Sequence, residues 1–187
     1  MYSSGMLFVL AGPSGAGKTT LAHHIVAGDP RTDFSVSTTT RLPRGEEIHG
    51  KDYFFVDENE FSLRIENSYF LEWAHVHGNR YGTEGSWVRS QLAMGKNVVL
   101  DIDVQGAVQI KESMPSAVLI FILPASSRVL LNRLEQRNTD SGKTVEKRME
   151  AAAGEVSFMG VFDYFVCNDE LEKAKSEIET IFHAEKM

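Results

Sequence analysis

Short apolar runs divide this chain and predict its buried strands. The runs occupy positions 6–11, 97–103, 117–123 and 163–167. Each is mostly apolar at consecutive positions rather than alternating with polar residues, which is typical of strands covered on both faces. We therefore expect a core sheet built from these strands, with Cys167 buried inside the last of them.

Segments with a helical pattern lie between and after these strands. They cover positions 20–26, 104–112, 126–136, 147–158 and 171–184. Parallel strands need a crossover connection, which is usually a helix. The alternation of strands and helices therefore predicts an α/β fold with a parallel core sheet.

Positions 36–95 break this alternation. A turn-rich polar segment at 42–46 is followed by an aromatic strand at 53–56 and then by amphipathic helices, so this stretch is interpreted as an inserted lobe. A second polar interruption, at 137–143, is interpreted as part of a lid. The 187 residues are predicted to form one domain, with a core at 1–35, 96–128 and 155–187, the inserted lobe at 36–95 and the lid at 129–154.

The composition excludes several classes of protein. A net charge of −7 argues against a general nucleic-acid binder, which usually spreads basic residues over one face. The longest apolar run, at 117–123, is too short to cross a bilayer, and the run at 6–11 has no basic segment before it and no cleavage site after it. A single cysteine suits a reducing compartment. We expect a cytoplasmic protein without nucleic-acid or membrane partners, and the sequence predicts no oligomeric state.

A glycine-rich segment follows the first strand. The sequence GPSGAGKT, from Gly12 to Thr19, fits the phosphate-loop pattern G-x-x-x-x-G-K-[ST], and a helical pattern comes after it. Glycines let successive backbone N–H groups point at phosphate oxygens, and the N-terminus of the following helix adds its positive dipole. Lys18 is expected to contact the β- and γ-phosphates of a nucleotide, and Thr19 to offer its hydroxyl to Mg²⁺.

Two arginines, Arg41 and Arg44, lie three positions apart around Pro43. Their guanidinium groups can bind one phosphate together, although isolated surface arginines often face only solvent. Further segments follow in order: GKDYFF at 50–55, FLEWA at 70–74, NRYGT at 79–83 and LDIDVQG at 100–106. With the glycine-rich loop, these segments resemble the guanylate kinase family over nearly the whole chain. The resemblance implies a three-layer P-loop NTPase fold with a GMP-binding lobe and a short helical lid.

The resemblance also implies a GMP site in the lobe. Two arginines and two tyrosines would hold the phosphate, two hydroxyls would contact the base, and Glu72 would accept hydrogen bonds from the guanine N1–H and 2-amino groups. Adenine offers neither donor and would leave the Glu72 carboxylate unpaired. The residues implied to bind GMP are Ser37, Arg41, Arg44, Tyr53, Glu72, Tyr81, Thr83 and Asp103.

For ATP, the resemblance implies binding by Gly12, Pro13, Ser14, Gly15, Ala16, Gly17, Lys18, Thr19, Thr20, Arg133, Arg137 and Asn168. The catalytic residues would be Lys18, Arg41, Arg137 and Arg148, and the residues for Mg²⁺ would be Thr19 and Asp101, partly through water. Simpler roles are open for some of them. Asp103 is suited to capping the helix after it, Asn168 to forming a turn, and the lid arginines to a solvated helix face.

The implied activity is transfer of a phosphoryl group from MgATP to GMP, and to dGMP, in purine nucleotide metabolism. One alternative is the scaffold-type module of the same fold, which binds phosphorylated peptides, but the intact Gly17-Lys18-Thr19 argues against it. A second is a kinase for phosphorylated ribose, which would lack the base-recognition set of Ser37, Glu72 and Thr83. A GTPase switch would need an N-K-x-D motif, and the sequence contains none.

Overall fold

The computed structural model of this chain describes residues 5–124 and 156–187. The elements of this part are β1 (Leu7–Ala11), α1 (Lys18–Gly28), β2 (Thr32–Phe34), β3 (Thr38–Thr39), β4 (Phe54–Phe55), α2 (Glu58–Glu66), β5 (Phe70–Val76), β6 (Asn79–Glu84), α3 (Gly85–Ala93), β7 (Asn97–Asp101), α4 (Val104–Ser113), β8 (Val118–Pro124), a 3₁₀ helix (Val156–Val161), β9 (Tyr164–Asn168) and α5 (Leu171–Glu185). The predicted helix at 126–136, most of the one at 147–158, and the lid arginines Arg133, Arg137 and Arg148 lie outside the described residues.

A five-stranded parallel sheet forms the core, in the order β2-β7-β1-β8-β9. Because side chains alternate along a strand, β1 supplies both faces of this sheet. Leu7, Val9 and Ala11 belong to one apolar cluster with residues of α3 and α4, and Phe8 and Leu10 belong to another with residues of α1 and α5. The sheet therefore lies between two layers of helices, which confirms the predicted α/β fold class.

A second sheet belongs to the segment between β2 and α3. It has four strands in the order β4-β3-β6-β5, and β5 and β6 form an antiparallel hairpin. The two-residue turn of this hairpin is His77-Gly78, with φ values of 50° and 84°. A positive φ at both turn positions matches the twist of the flanking strands.

One sequence expectation about secondary structure was wrong, and two short strands were not predicted. The segment after the aromatic strand was expected to be helical, but only α2 and α3 are helices, and residues 70–84 form the β5–β6 hairpin. The two strands that were not predicted are β2 and β3.

The position of Cys167 is a further correction. Cys167 is exposed, because β9 is the edge strand of the described core sheet and its side chains alternate. Val166 and Asn168 point inward, whereas Phe165 and Cys167 are exposed. Within residues 5–124 and 156–187, no helix combines the length and the apolar character needed to cross a membrane.

Candidate active site

A cavity of about 260 Å³ lies where the glycine-rich loop faces the second sheet. The carboxyl end of β7 contributes Asp101 to its wall, and open α/β sheets bind ligands at this edge. The loop and core residues that line the cavity are Gly12, Ser14, Gly15, Gly17, Lys18, Thr19, Asp101, Ile102 and Asp103. The lobe residues that line it are Ser37, Arg41, Arg44, Tyr53, Glu72, Val76, His77, Asn79 and Tyr81.

The glycine-rich loop wraps around the amino group of Lys18. Its Nζ donates hydrogen bonds to the carbonyl oxygens of Gly12, at 2.7 Å, and of Pro13, at 3.2 Å. Gly12 has a φ of 130°, and a Cβ atom there would collide with the backbone of Ile122 in β8. Only glycine lets the loop pass this close to the core sheet. The core sheet therefore fixes the conformation of the loop, and the loop carbonyls hold the Lys18 amino group in place.

Thr19 and Asp101 bring two oxygen ligands together beside Lys18. The Thr19 hydroxyl donates to Asp101 Oδ2 at 2.5 Å, and Asp101 Oδ1 lies 3.9 Å from Lys18 Nζ. Mg²⁺ prefers oxygen ligands and is usually held by one or two protein groups together with water and phosphate oxygens. A hydroxyl and a carboxylate that meet next to a phosphate loop fit that ion.

Asn168 supports the loop from behind. Its side chain is buried, and its Nδ2 donates to the carbonyl oxygen of Ala16 at 2.7 Å. The same amide group lies so close to Gly17 that a Cβ atom on Gly17 would collide with it. Asn168 ends β9, and it does not line the cavity among the residues described. The geometry shows a contact with the phosphate loop, and the adenine contact stays a prediction.

In the lobe, Arg41 is largely buried among polar and aromatic groups. Its Nε donates to the Tyr81 hydroxyl at 3.2 Å, and its guanidinium lies 5.0 Å from the centre of the Tyr53 ring. Burial, followed by the nearby negative charge of Asp101, raises the pKa of Tyr53 to about 12. The Tyr53 phenol therefore keeps its proton at neutral pH. The cluster offers guanidinium and phenol donors to an anion in the cavity.

Glu72 is the buried carboxylate of the cavity wall. The pairing register of β5 shifts between Phe70 and Glu72, and Glu72 then pairs with Thr83 of β6. The Thr83 hydroxyl donates to Glu72 Oε1 at 2.6 Å. Burial raises the pKa of Glu72 to about 7, and the negative charge of Asp103 acts in the same direction. Burial of an ionised carboxylate costs free energy, and a ligand with two adjacent N–H donors would offset that cost, so Glu72 is well suited to recognise such a ligand.

Asp103 and helix α4 form the floor below Glu72. The Asp103 carboxylate caps α4 by accepting from the backbone N–H of Gly106 at 3.1 Å and of Gln105 at 3.2 Å. Burial raises the pKa of Asp103. Gly106 packs directly under the Glu72 carboxylate, because a Cβ atom there would collide with it. The capping role of Asp103 and its place in the cavity wall therefore coexist.

The sequence prediction of the site omitted several residues. Val76, His77, Asn79 and Ile102 line the cavity, and the first three lie in or next to the hairpin turn, in a segment that was expected to be helical. Gln109 was also missed. Its side chain donates to the Trp73 carbonyl at 2.8 Å and accepts from the Trp73 N–H at 3.3 Å, so it links α4 to β5 beside Glu72.

Most of the predicted residues of the described part meet at this cavity. Thr83 lies behind Glu72 rather than on the wall, and Pro13, Ala16 and Thr20 belong to the loop or to α1 without lining the cavity. The fold and the site together define an α/β protein of the P-loop class.

Comparison with known proteins narrows this class. A family model described as guanylate kinase matches residues 4–185. The chain is 45% identical over 183 residues to the guanylate kinase of a Polaromonas species, which covers 98% of this chain and 89% of the relative. It is 46% identical over 186 residues to that of Geobacter sulfurreducens, covering 100% of this chain and 92% of the relative.

A solved structure gives the same result. The crystal structure of guanylate kinase from Anaplasma phagocytophilum matches with a TM-score of 0.83 and 34% identity, over 99% of this chain and 88% of that one. The chain belongs to the guanylate kinase family.

Proposed function

We propose that this protein transfers the γ-phosphoryl group of MgATP to GMP and releases ADP and GDP. The observation that carries the proposal is that one cavity is lined both by Lys18 and Thr19 of the phosphate loop and by Arg41 and Glu72 of the lobe. Phosphoryl transfer needs two phosphate-bearing substrates held close together and in line. A cavity with a phosphate loop at one side and a base-recognition carboxylate at the other meets that need.

The donor nucleotide would bind to the loop. The backbone N–H groups of the loop and the Lys18 amino group would hold its phosphates, which would replace the Gly12 and Pro13 carbonyls as acceptors for Lys18. Thr19 and Asp101 would hold Mg²⁺, partly through water. The ion, when bound, neutralises charge that develops on the phosphate oxygens.

The acceptor nucleotide would bind in the lobe. Arg41, Arg44, Tyr53 and Tyr81 would hold its phosphate, and Glu72 would accept from the guanine N1–H and 2-amino groups. The acceptor phosphate is already ionised at neutral pH, so no general base is required. Asp103, Ser37 and Thr83 would complete the base pocket.

Three finer points belong to the same proposal. None of the assigned base and phosphate contacts uses the ribose 2′-hydroxyl, so dGMP is expected to serve as a second acceptor. The lid arginines Arg133, Arg137 and Arg148 are proposed to cover the transferring group, and Asn168 to lie near the adenine. The protein is proposed to act in purine nucleotide metabolism in the cytoplasm, which its single cysteine suits.

The test is release of ADP from MgATP by the purified protein with GMP, dGMP, AMP, UMP or ribose 1,5-bisphosphate as acceptor. We expect rapid turnover with GMP and dGMP only. Lys18→Ala should abolish this turnover, whereas Lys173→Ala, which removes an exposed lysine of α5, should leave it unchanged. A folded protein that releases no ADP with any acceptor would contradict the proposal. It would favour a binding module of the same fold instead.

A further inference from the structure

Arg41 is paired with the carboxylate of Glu47, which has no role in the proposed mechanism. Glu47 Oε2 accepts from Arg41 Nη1 at 2.8 Å, and Glu47 Oε1 accepts from Arg41 Nη2 at 2.9 Å. The same carboxylate accepts from the backbone N–H of Arg44 at 2.7 Å. One side chain therefore holds both arginines of the proposed phosphate subsite.

The geometry of the guanidinium shows which of its edges Glu47 occupies. A guanidinium has five N–H donors in a rigid plane. Nη1 and Nη2 together face Glu47, the second Nη1–H goes to the Leu42 carbonyl at 2.8 Å, and Nε faces the Tyr81 hydroxyl. No hydrogen bond within the described residues uses the second Nη2–H, which lies on the same edge as Nε–H. On this edge the Nε–H donates to Tyr81, and the second Nη2–H is left available to an anion.

Glu47 stands outside the space for the substrate. Arg41, Arg44, Tyr53 and Tyr81 all line the cavity, and Glu47 does not. Its carboxylate therefore supports Arg41 from the far side instead of competing for the place of a phosphate. Bidentate pairing with Arg41 also keeps the pKa of Glu47 below its ordinary value, so the support stays charged throughout the neutral range.

We propose that Glu47 is a positioning residue of the acceptor site, which turns the Nε edge of the Arg41 guanidinium toward the GMP phosphate and fixes the backbone of Arg44 beside it. The inference rests on the proposed function, because it needs Arg41 to bind that phosphate. Glu47 acts through the arginines and touches no reacting atom. Without it, the largely buried Arg41 loses its charged partner and its fixed orientation.

Steady-state kinetics of Glu47→Gln, Glu47→Asp, Arg41→Ala and the double variant Glu47→Gln/Arg41→Ala test this role. The control is Glu60→Gln, which removes a carboxylate that also pairs with an arginine but lies away from the cavity: Glu60 Oε1 accepts from Arg64 Nε at 2.9 Å and from Arg64 Nη2 at 2.8 Å. We expect Glu47→Gln to raise the KM for GMP about tenfold with the KM for ATP unchanged. Glu47→Asp should recover part of this loss, and Glu60→Gln should change neither constant.

Two further readouts separate positioning from a general loss of structure. Binding of guanosine, which has no phosphate, should be equal in Glu47→Gln and the parent protein. In the Arg41→Ala background, Glu47→Gln should have a much smaller effect on kcat/KM for GMP than in the parent protein, because only the contact with the Arg44 N–H is then left to lose. Additive losses, or equal losses for GMP and guanosine, would overturn the inference. If Arg41→Ala itself left the KM for GMP unchanged, the proposed phosphate subsite would fail instead.

Discussion

Replacing Glu72 with glutamine should stabilise the free protein while it weakens GMP binding. The carboxylate is buried, and its pKa is raised from 4.5 to about 7. At about 1.4 kcal/mol per pH unit, that rise corresponds to about 3 kcal/mol by which burial disfavours the ionised form. Glutamine keeps the size of the side chain and its acceptor for the Thr83 hydroxyl, but it carries no charge.

The pH dependence of this effect has a definite sign. Below pH 4.5 Glu72 is protonated in both the folded and the unfolded states. Its ionisation then adds nothing to the difference in stability between Glu72→Gln and the parent protein. Between pH 4.5 and 7 it ionises in the unfolded state first, so the parent protein loses stability relative to the variant. The advantage of Glu72→Gln should be about 1 kcal/mol at pH 5 and about 3 kcal/mol at pH 8.

Urea unfolding at pH 5 and pH 8 measures this difference, with Glu66→Gln, an exposed change on α2, as the control. The control should show no comparable rise in relative stability with pH. Equal stability of Glu72→Gln and the parent at pH 8 would refute the argument. The variant should also show a KM for GMP raised by a factor of about ten or more, because an amide offers one acceptor where a carboxylate offers two.

The remaining predictions concern the same two subsites. Affinity for guanosine, which has no titrating phosphate, should weaken as the pH falls below about 7, because Glu72 must lose its proton to accept two N–H donors. Calorimetric titration measures the dissociation constant of guanosine, and a constant that does not change between pH 5.5 and 8 would contradict the prediction. Asn168→Ala should raise the KM for ATP several-fold and lower stability by about 1–2 kcal/mol, because the Ala16 carbonyl loses its donor. An unchanged KM for ATP would show that Asn168 does not shape the loop.

The phosphate loop and the core strands were predictable because their causes are local. Gly12 needs a positive φ where the loop passes β8, and the residues of β1 are apolar on both faces because helices cover both faces of the sheet. Such requirements leave a direct trace in the sequence. The helices after the loop and after Asp103 follow for the same reason.

The hairpin and the edge strand depend instead on distant partners. Residues 70–84 become strands because β6 pairs with β3, and the only local signal is the turn at His77-Gly78. The apolar run that includes Cys167 looks like a central strand, and only the strand order of the described sheet shows that β9 lies at its edge. The ion pair of Glu47 with Arg41 joins residues six positions apart, and no recurring pattern in the sequence indicates it. Tertiary context decides all three.

Transfer of labelled phosphate tests the central claim most directly. The purified protein is incubated with MgATP labelled at the γ-phosphoryl group and with GMP, and the products are separated. We expect the label to appear in GDP, AMP in place of GMP to take up almost none, and Lys18→Ala to abolish the transfer. Label released as inorganic phosphate at the same rate with or without GMP would contradict it, because the cavity would then hydrolyse ATP without using the lobe.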